Sequence, residues 1–303
     1  MQTEVRKLPE TSLTARLGDY FELCKPKVVG LIVFTAVVGM FLAVPGLVPL
    51  DKLLFGTLGI GLAASSAAAI NHVLDARIDA VMRRTRRRPL PTGHLKEIEA
   101  LTFAVLLGLV SMLVLWLLVN PLTAVLTFFS LIGYAIVYTV FLKRATPQNI
   151  VIGGAAGAAP PVLGWVAITG DVHAHALLLF LIIFTWTPPH FWALAIARKD
   201  EYAQVNIPMM PVTHGIEFTR LQILLYTILL CLVSLLPWLT GMSGWLYLAG
   251  ALGFGGGFLY YAIAMMRSDS PELPMKTFGY SITYLMGIFS FLLADHYVPL
   301  LFG

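Results

Sequence analysis

Asn71, Asp75 and Asp79 recur at intervals of four residues where an apolar run gives way to a polar one. On a continuing helix that interval puts all three on one face, descending about 12 Å over two turns. Arg77 points away from that face. Three oxygen-bearing side chains in line, with no cysteine and no clustered histidine pair, suit a hard cation such as Mg2+. That ion keeps several waters and completes its shell with substrate phosphate. Directly behind the ladder comes Arg83-Arg-Thr-Arg-Arg-Arg88-Pro-Leu-Pro-Thr-Gly. Carboxylates for a metal beside guanidinium groups for phosphate oxygens describe a diphosphate cradle. The plain alternative is a helix end with solvated acids followed by an ordinary basic loop.

Two further segments carry polar chemistry. The first is Thr185-Trp-Thr-Pro-Pro-His190-Phe-Trp, running on through Lys199-Asp200-Glu-Tyr202 to Pro208-Met-Met-Pro211. Its paired prolines free backbone carbonyls inside an apolar stretch, which is tolerated where protein or a cavity satisfies them. Taken alone, His190 reads as readily as a hydrogen-bonded packing residue, and Asp200 as a solvated charge at a helix end. The second segment is Tyr138-Thr-Val-Phe-Leu-Lys143-Arg-Ala-Thr-Pro-Gln-Asn149, followed by a small-residue run, Gly153 to Ala159. Small residues permit close helix approach or leave a groove. Lys143 adds a cation to the same rim.

The elements that must position these groups are membrane spans. The chain of 303 residues is 58% hydrophobic and only 12% charged, with a mean hydropathy of +0.83. A soluble domain carries about twice that charged share. The apolar residues fall into nine blocks: 28–44, 53–70, 100–119, 122–142, 150–168, 177–197, 221–239, 246–266 and 278–293. At about 1.5 Å per residue, each crosses a hydrocarbon core of about 30 Å with little help from its flanks. Between the third and fourth blocks only Asn120-Pro121 marks a turn. The expected fold is an all-α polytopic membrane protein of nine transmembrane helices. Two four-helix halves plus a ninth helix surround a central cavity open to the cytoplasmic side. Residues 1–27 form a cytoplasmic N-terminal arm, and residues 28–300 a single nine-helix domain.

With nine spans, 19 of the 20 lysines and arginines fall on one side, leaving only Lys52 opposite. The positive-inside rule puts that side, and the N-terminus, in the cytoplasm and the C-terminus outside. The pI of about 9.1 follows from these loops, so no nucleic-acid partner is expected. Cys24 and Cys231 imply no disulfide framework. The first 25 residues lack an apolar signal core, and Glu4, Glu10 and Asp19 argue against a transit peptide. A bacterial-type plasma membrane is the expected location.

Taken together, the three segments resemble the haem O synthases (protohaem IX farnesyltransferases), a branch of the UbiA-type intramembrane prenyltransferase superfamily. The resemblance covers residues from about 20 to the C-terminus. It rests on Asn71-x3-Asp75-x3-Asp79 with its arginine loop, on the Tyr138 to Asn149 segment, and on Pro189-His-Phe-Trp through Pro211. It implies a transferase that joins farnesyl diphosphate to a vinyl group of haem b, with water added, releasing diphosphate. By the same resemblance Asn71, Asp75 and Asp79 hold Mg2+, and Asp200 contributes to a second ion. Arg84, Arg88, Lys143 and Lys199 bind diphosphate, and His190 serves the haem as axial ligand or as an acid/base near the vinyl group. Related enzymes carry a second Asp-x3-Asp ladder, but here Gln204 stands four residues after Asp200. The second ion is then held more by phosphate and water. Farnesyl diphosphate, haem b, membrane lipid and a haem A-forming membrane enzyme are the implied partners.

Three other readings compete. A secondary transporter of an anion would explain many spans and basic residues, but such proteins place their charged sites near the midplane, often between inverted repeats. Here the acids lie at one rim. A related prenyltransferase acting on a quinone or aromatic precursor would share the first motif. A non-catalytic haem-handling scaffold would need no Asn/Asp ladder.

Overall fold

The computed structural model describes residues 13–302, with side chains to residue 298. Arg6 and Lys7 in the basic count, together with Glu4 and Glu10, lie outside the described residues. Every regular element among those described is helical. Among the described residues eight helices are long and apolar enough to cross a membrane, and nine if a bent pair counts as one span. That pair is α1 (Leu13–Leu23) and α2 (Pro26–Leu42), which meet at a 51° bend. The N-terminal arm is thus helical over much of its described length, and Lys25 sits in the bend with left-handed backbone, φ 49°.

α3 (Leu50–Val81) runs for 32 residues, about 48 Å at the helical rise. It therefore outlasts a hydrocarbon core of about 30 Å and carries Asn71, Asp75 and Asp79 on its last turns. α4 (Glu97–Leu118) lies against it. Two hydroxyls join the pair, Ser66 donating to the Ala104 carbonyl and Ser111 to the Gly59 carbonyl, both at 2.7 Å. α5 (Pro121–Ala145) begins at the expected turn. Pro121 takes the first helical position, where its missing N–H costs nothing, and the Asn120 side chain accepts from Thr123 N at 2.8 Å.

The helical pattern of the fourth block did not foretell its local geometry. Within α5, residues Gly133–Leu142 form a π-helix. π segments occur mostly as single turns and often at functional sites. This one is longer, and it ends on Lys143.

α6 (Asn149–Thr169) packs on α2 so closely that a Cβ at Gly39 would strike the Pro161 carbonyl. One at Gly164 would likewise strike the Ala36 carbonyl. Only glycine permits this approach. α7 (Ala174–Ala197) continues through Pro188 and Pro189, and the short α8 (Lys199–Gln204) and α9 (Met210–Thr213) follow it. α10 (Ile216–Leu239), α11 (Trp245–Arg267) and α12 (Leu273–Phe302) complete the bundle. α12 returns to pack on α7 and α11. Its Asp295 carboxylate accepts from the backbone of Gly244 and Tyr247, capping the start of α11.

Candidate active site

α3 delivers its ladder intact. Asn71, Asp75 and Asp79 are all buried, with no more than 5% of their surface exposed. Each rung meets a cation from a different part of the chain. Lys143 donates to Asp75 Oδ2 at 2.6 Å, and Arg88 donates to Asp79 Oδ2 at 2.6 Å. The Lys25 ammonium bonds Asn71 Oδ1. Asn71 in turn donates through Nδ2 to Asp75 Oδ2 at 2.9 Å, which orients its amide. Asp75, Asp79, Arg88 and Lys143 all lie within electrostatic reach of Lys25. Two carboxylates thus face three cations in a cradle shielded from water and hence from salt.

Local structure explains how the cations arrive. After α3 the chain turns on itself, with Thr85 Oγ1 donating to the Asp79 carbonyl at 3.1 Å and Arg88 N to the Thr85 carbonyl at 3.0 Å. That folds Arg88 back onto Asp79. The π segment brings Lys143 to Asp75, and Asn149 holds the Lys143 carbonyl at 3.2 Å. Thr139, inside that segment, donates to the Tyr134 carbonyl at 2.9 Å and receives Asn71 Nδ2 at 3.4 Å. Tyr134 and Tyr138 stack at 5.6 Å, both within electrostatic reach of Asp75. Gly153 leaves the room that the Tyr138 ring occupies.

The second motif folds over the first. Met82, at the head of the arginine loop, shares one apolar cluster with Ile150, Trp192, Tyr202, Ile207 and Met209. Tyr202 lies outside the spans, and burial pushes its hydroxyl pKa up. The Arg84 and Arg198 guanidinium groups oppose that shift, while Glu201 and, more weakly, Asp75 add to it. Arg84 itself is exposed. Lys199 is half-buried and Asp200 exposed, and among the described residues no hydrogen bond or ion pair joins either to the ladder.

His190 belongs to a different layer. It is buried on α7 between the rings of Trp186 at 4.2 Å and Phe278 at 4.5 Å, and its Nδ1 lies 2.6 Å from Ser281 Oγ. Nothing in the residue pattern alone marks Lys25, Thr139 or Ser281 as site residues. Lys25 counted only as a topogenic charge, although its place before Pro26 marked a break. An apolar groove, lined among others by Phe129, Ser130, Gly133, Ala156, Ala159 and Phe180, adjoins the far end of the π segment.

The donor set suits a hard divalent ion. Among the described residues no group of three or more His, Cys, Asp and Glu side chains gathers. The protein therefore offers two carboxylates and one amide oxygen, and an ion held there must take the rest of its shell from substrate and water.

Residues 32–291 match the UbiA prenyltransferase family, and the chain belongs to it. Curated relatives narrow the comparison. The chain is 65% identical over 281 residues to the protoheme IX farnesyltransferase of Nitrosococcus oceani, covering 93% of this chain and 94% of that one. It is 66% identical over the same shares to the protoheme IX farnesyltransferase of Methylococcus capsulatus. Among solved structures, a digeranylgeranylglyceryl phosphate synthase shares the fold with a TM-score of 0.77 at 18% identity, over 93% of this chain and 99% of that one. A UbiA homologue from Archaeoglobus fulgidus bound to GPP and Mg2+ aligns with a TM-score of 0.65 at 17% identity, over 90% of this chain and 99% of that one.

Proposed function

We propose that this protein transfers a farnesyl group from farnesyl diphosphate to a vinyl group of haem b, with addition of water, giving haem O and diphosphate. The observation that carries the reading is the buried ladder in which Asn71, Asp75 and Asp79 are matched one to one with Lys25, Lys143 and Arg88. A solvated helix end has no use for that arrangement, since burying charges costs several kcal/mol each unless they are paired. Relatives at this identity carry the corresponding name.

Asn71, Asp75 and Asp79 would hold Mg2+, which supplies Lewis-acid stabilisation of the departing diphosphate. Arg88, Lys143 and Lys25 provide fixed positive charge where negative charge develops on the leaving oxygen, and they do so in a site screened little by water. Arg84 and Lys199 would extend that field at the rim, and Asp200 would contribute to a second ion. The stacked Tyr134 and Tyr138 rings offer π-faces to the allylic cation on the groove side of the cradle. The farnesyl chain lies along the π segment from Lys143 towards Gly133. Its tail reaches the apolar groove, and dry surroundings at the reacting carbon would avoid premature quenching of the allylic cation. His190 takes the haem. The basic rim faces the cytoplasm of a plasma membrane, and the product passes on to a haem A-forming membrane enzyme.

The direct test is to incubate purified protein with farnesyl diphosphate, haem b and Mg2+, and to separate the haems by chromatography. A more hydrophobic haem, absent when either Asp75→Ala or Asp79→Ala replaces the native protein, is the expected result. Unaltered haem b from well-folded native protein would overturn the reading.

A further inference from the structure

The Ser281 hydroxyl has one proton and two neighbours at 2.6 Å, the Phe278 carbonyl and His190 Nδ1. A carbonyl oxygen cannot donate, so the proton of Ser281 must lie toward Phe278. Ser281 Oγ is then an acceptor for His190, and Nδ1 must carry the ring proton. That leaves Nε2 with its lone pair. Among the described residues Nε2 has no hydrogen-bond partner, and unlike the two nitrogens of His72 it is not sealed away from open space.

The rest of the neighbourhood holds this arrangement rigid. Trp186 Nε1 donates to the Ser281 carbonyl at 2.7 Å, which ties the serine backbone to the same helix that bears the histidine. Trp186 and Phe278 stack on opposite sides of the imidazole, at 19° and 24° to its plane, and Phe191 meets its edge. The ring can neither flip nor exchange tautomers without breaking this set.

We propose that Ser281 is a positioning residue that fixes His190 as the Nδ1–H tautomer and so presents Nε2 as an axial ligand to the iron of the substrate haem. The inference rests on the haem-transferase reading and sharpens it, because that reading left His190 open between ligand and acid/base. A general base would become an imidazolium, and no carboxylate touches the ring among the described residues to compensate the buried charge. Binding iron requires no such charge on the ring. A hydrogen bond from the distal nitrogen of a ligating histidine to a fixed acceptor is also the usual means of setting tautomer and basicity.

The test uses full-length protein in detergent or nanodiscs titrated with ferric haem b, read by visible absorption and electron paramagnetic resonance. Farnesyl diphosphate with Mg2+, titrated calorimetrically, reports on folding and on the separate diphosphate site. Native protein should show a histidine-ligated ferric haem, and His190→Ala should lose that signature. Ser281→Val should weaken haem binding about 10- to 100-fold, the range for loss of such a supporting bond, and shift the ligand-field bands. Ser281→Thr, of the same shape with the hydroxyl restored, should return both toward native. If His190→Ala loses the signature but Ser281→Val binds and absorbs like native protein, the role of Ser281 is refuted while the ligand role survives. An unchanged spectrum in His190→Ala refutes iron ligation itself. Should Ser281→Val also lose farnesyl diphosphate binding, Ser281→Ala and Ser281→Thr are compared, and equal haem affinity in those two refutes the proposal.

Discussion

Lys143→Met should separate two jobs that the proposed mechanism gives one ammonium in the cradle. Without ligands, Lys143 occupies Asp75 Oδ2 at 2.6 Å, with only 13% of its side chain exposed. There it competes with any divalent ion for the same oxygen. An ammonium and a doubly charged ion about 4 Å apart repel by roughly 8 kcal/mol at an effective dielectric near 20. A flexible lysine relieves most of that by swinging aside, so removing it should tighten Mg2+ binding in the absence of diphosphate only about tenfold, or about 1.4 kcal/mol. Once diphosphate is bound, the proposed mechanism makes the same ammonium a donor to the leaving group. Loss of one such preorganised donor costs about 10²- to 10³-fold in kcat. Methionine keeps the unbranched shape without the charge. The assay pairs Mg2+ titration of substrate-free protein with haem O formation at saturating substrates, and ferric haem binding serves as a control that should not move. Weaker Mg2+ binding in Lys143→Met, or turnover within threefold of native, would refute the account of a cation that trades a carboxylate for a phosphate.

Other outcomes follow from the same geometry. Thr139→Val removes the hydroxyl that joins the Tyr134 carbonyl to Asn71, and with two neutral bonds worth about 1 kcal/mol each kcat/KM should fall roughly tenfold or more; an unchanged value would detach the π segment from catalysis. Ala156→Phe fills the groove beside Gly133 and should turn the preference from farnesyl toward geranyl diphosphate in competition assays, whereas equal loss on both chains would place the tail elsewhere. Asp295→Ala strips the cap from α11 and should destabilise the fold by about 1.5–3 kcal/mol in thermal unfolding, with turnover per folded molecule retained. Gly164→Val collides with the Ala36 backbone and should cut the folded yield, while Gly30→Ala, which meets nothing nearby, should be silent.

How far the site could be read in advance depended on how far apart in the chain its partners lie. The ladder is local: a period of four on a helix dictates that Asn71, Asp75 and Asp79 share a face, and α3 has that face buried. Arg88 follows Asp79 by only nine residues, and the turn-forming loop between them makes the return short. The nine apolar blocks and their charge asymmetry likewise depend on composition and length, which a string records directly. Partners across the bundle were not so visible. Lys143 lies 68 residues from Asp75, and His190 lies 91 from Ser281. The chemistry of Lys143 and His190 stood out, but which atoms they would touch did not. Lys25, 46 residues from Asn71, was hidden for another reason. A lysine before a proline in a basic arm looks topogenic, and nothing in the string says its backbone will turn left-handed.

That left-handed turn has an energetic meaning. A residue other than glycine held there costs about 1–3 kcal/mol and persists only where surrounding contacts over-determine it. At Lys25 the compensating contact is the bond to Asn71, within reach of two carboxylates. The bend between α1 and α2 and the top rung of the ladder therefore stabilise each other. The π segment stands in the same relation to Asp75, since it gives up regular α-helical hydrogen bonding and ends where Lys143 meets the carboxylate. Both irregularities in the cradle's backbone thus deliver an ammonium to an oxygen of α3. An anion that drew those ammonium groups away would remove the contacts that hold both segments in place. Binding of diphosphate is for that reason expected to reshape the α1–α2 bend and the π segment together, and hydrogen exchange at residues 24–28 and 133–143 should change in both segments or in neither.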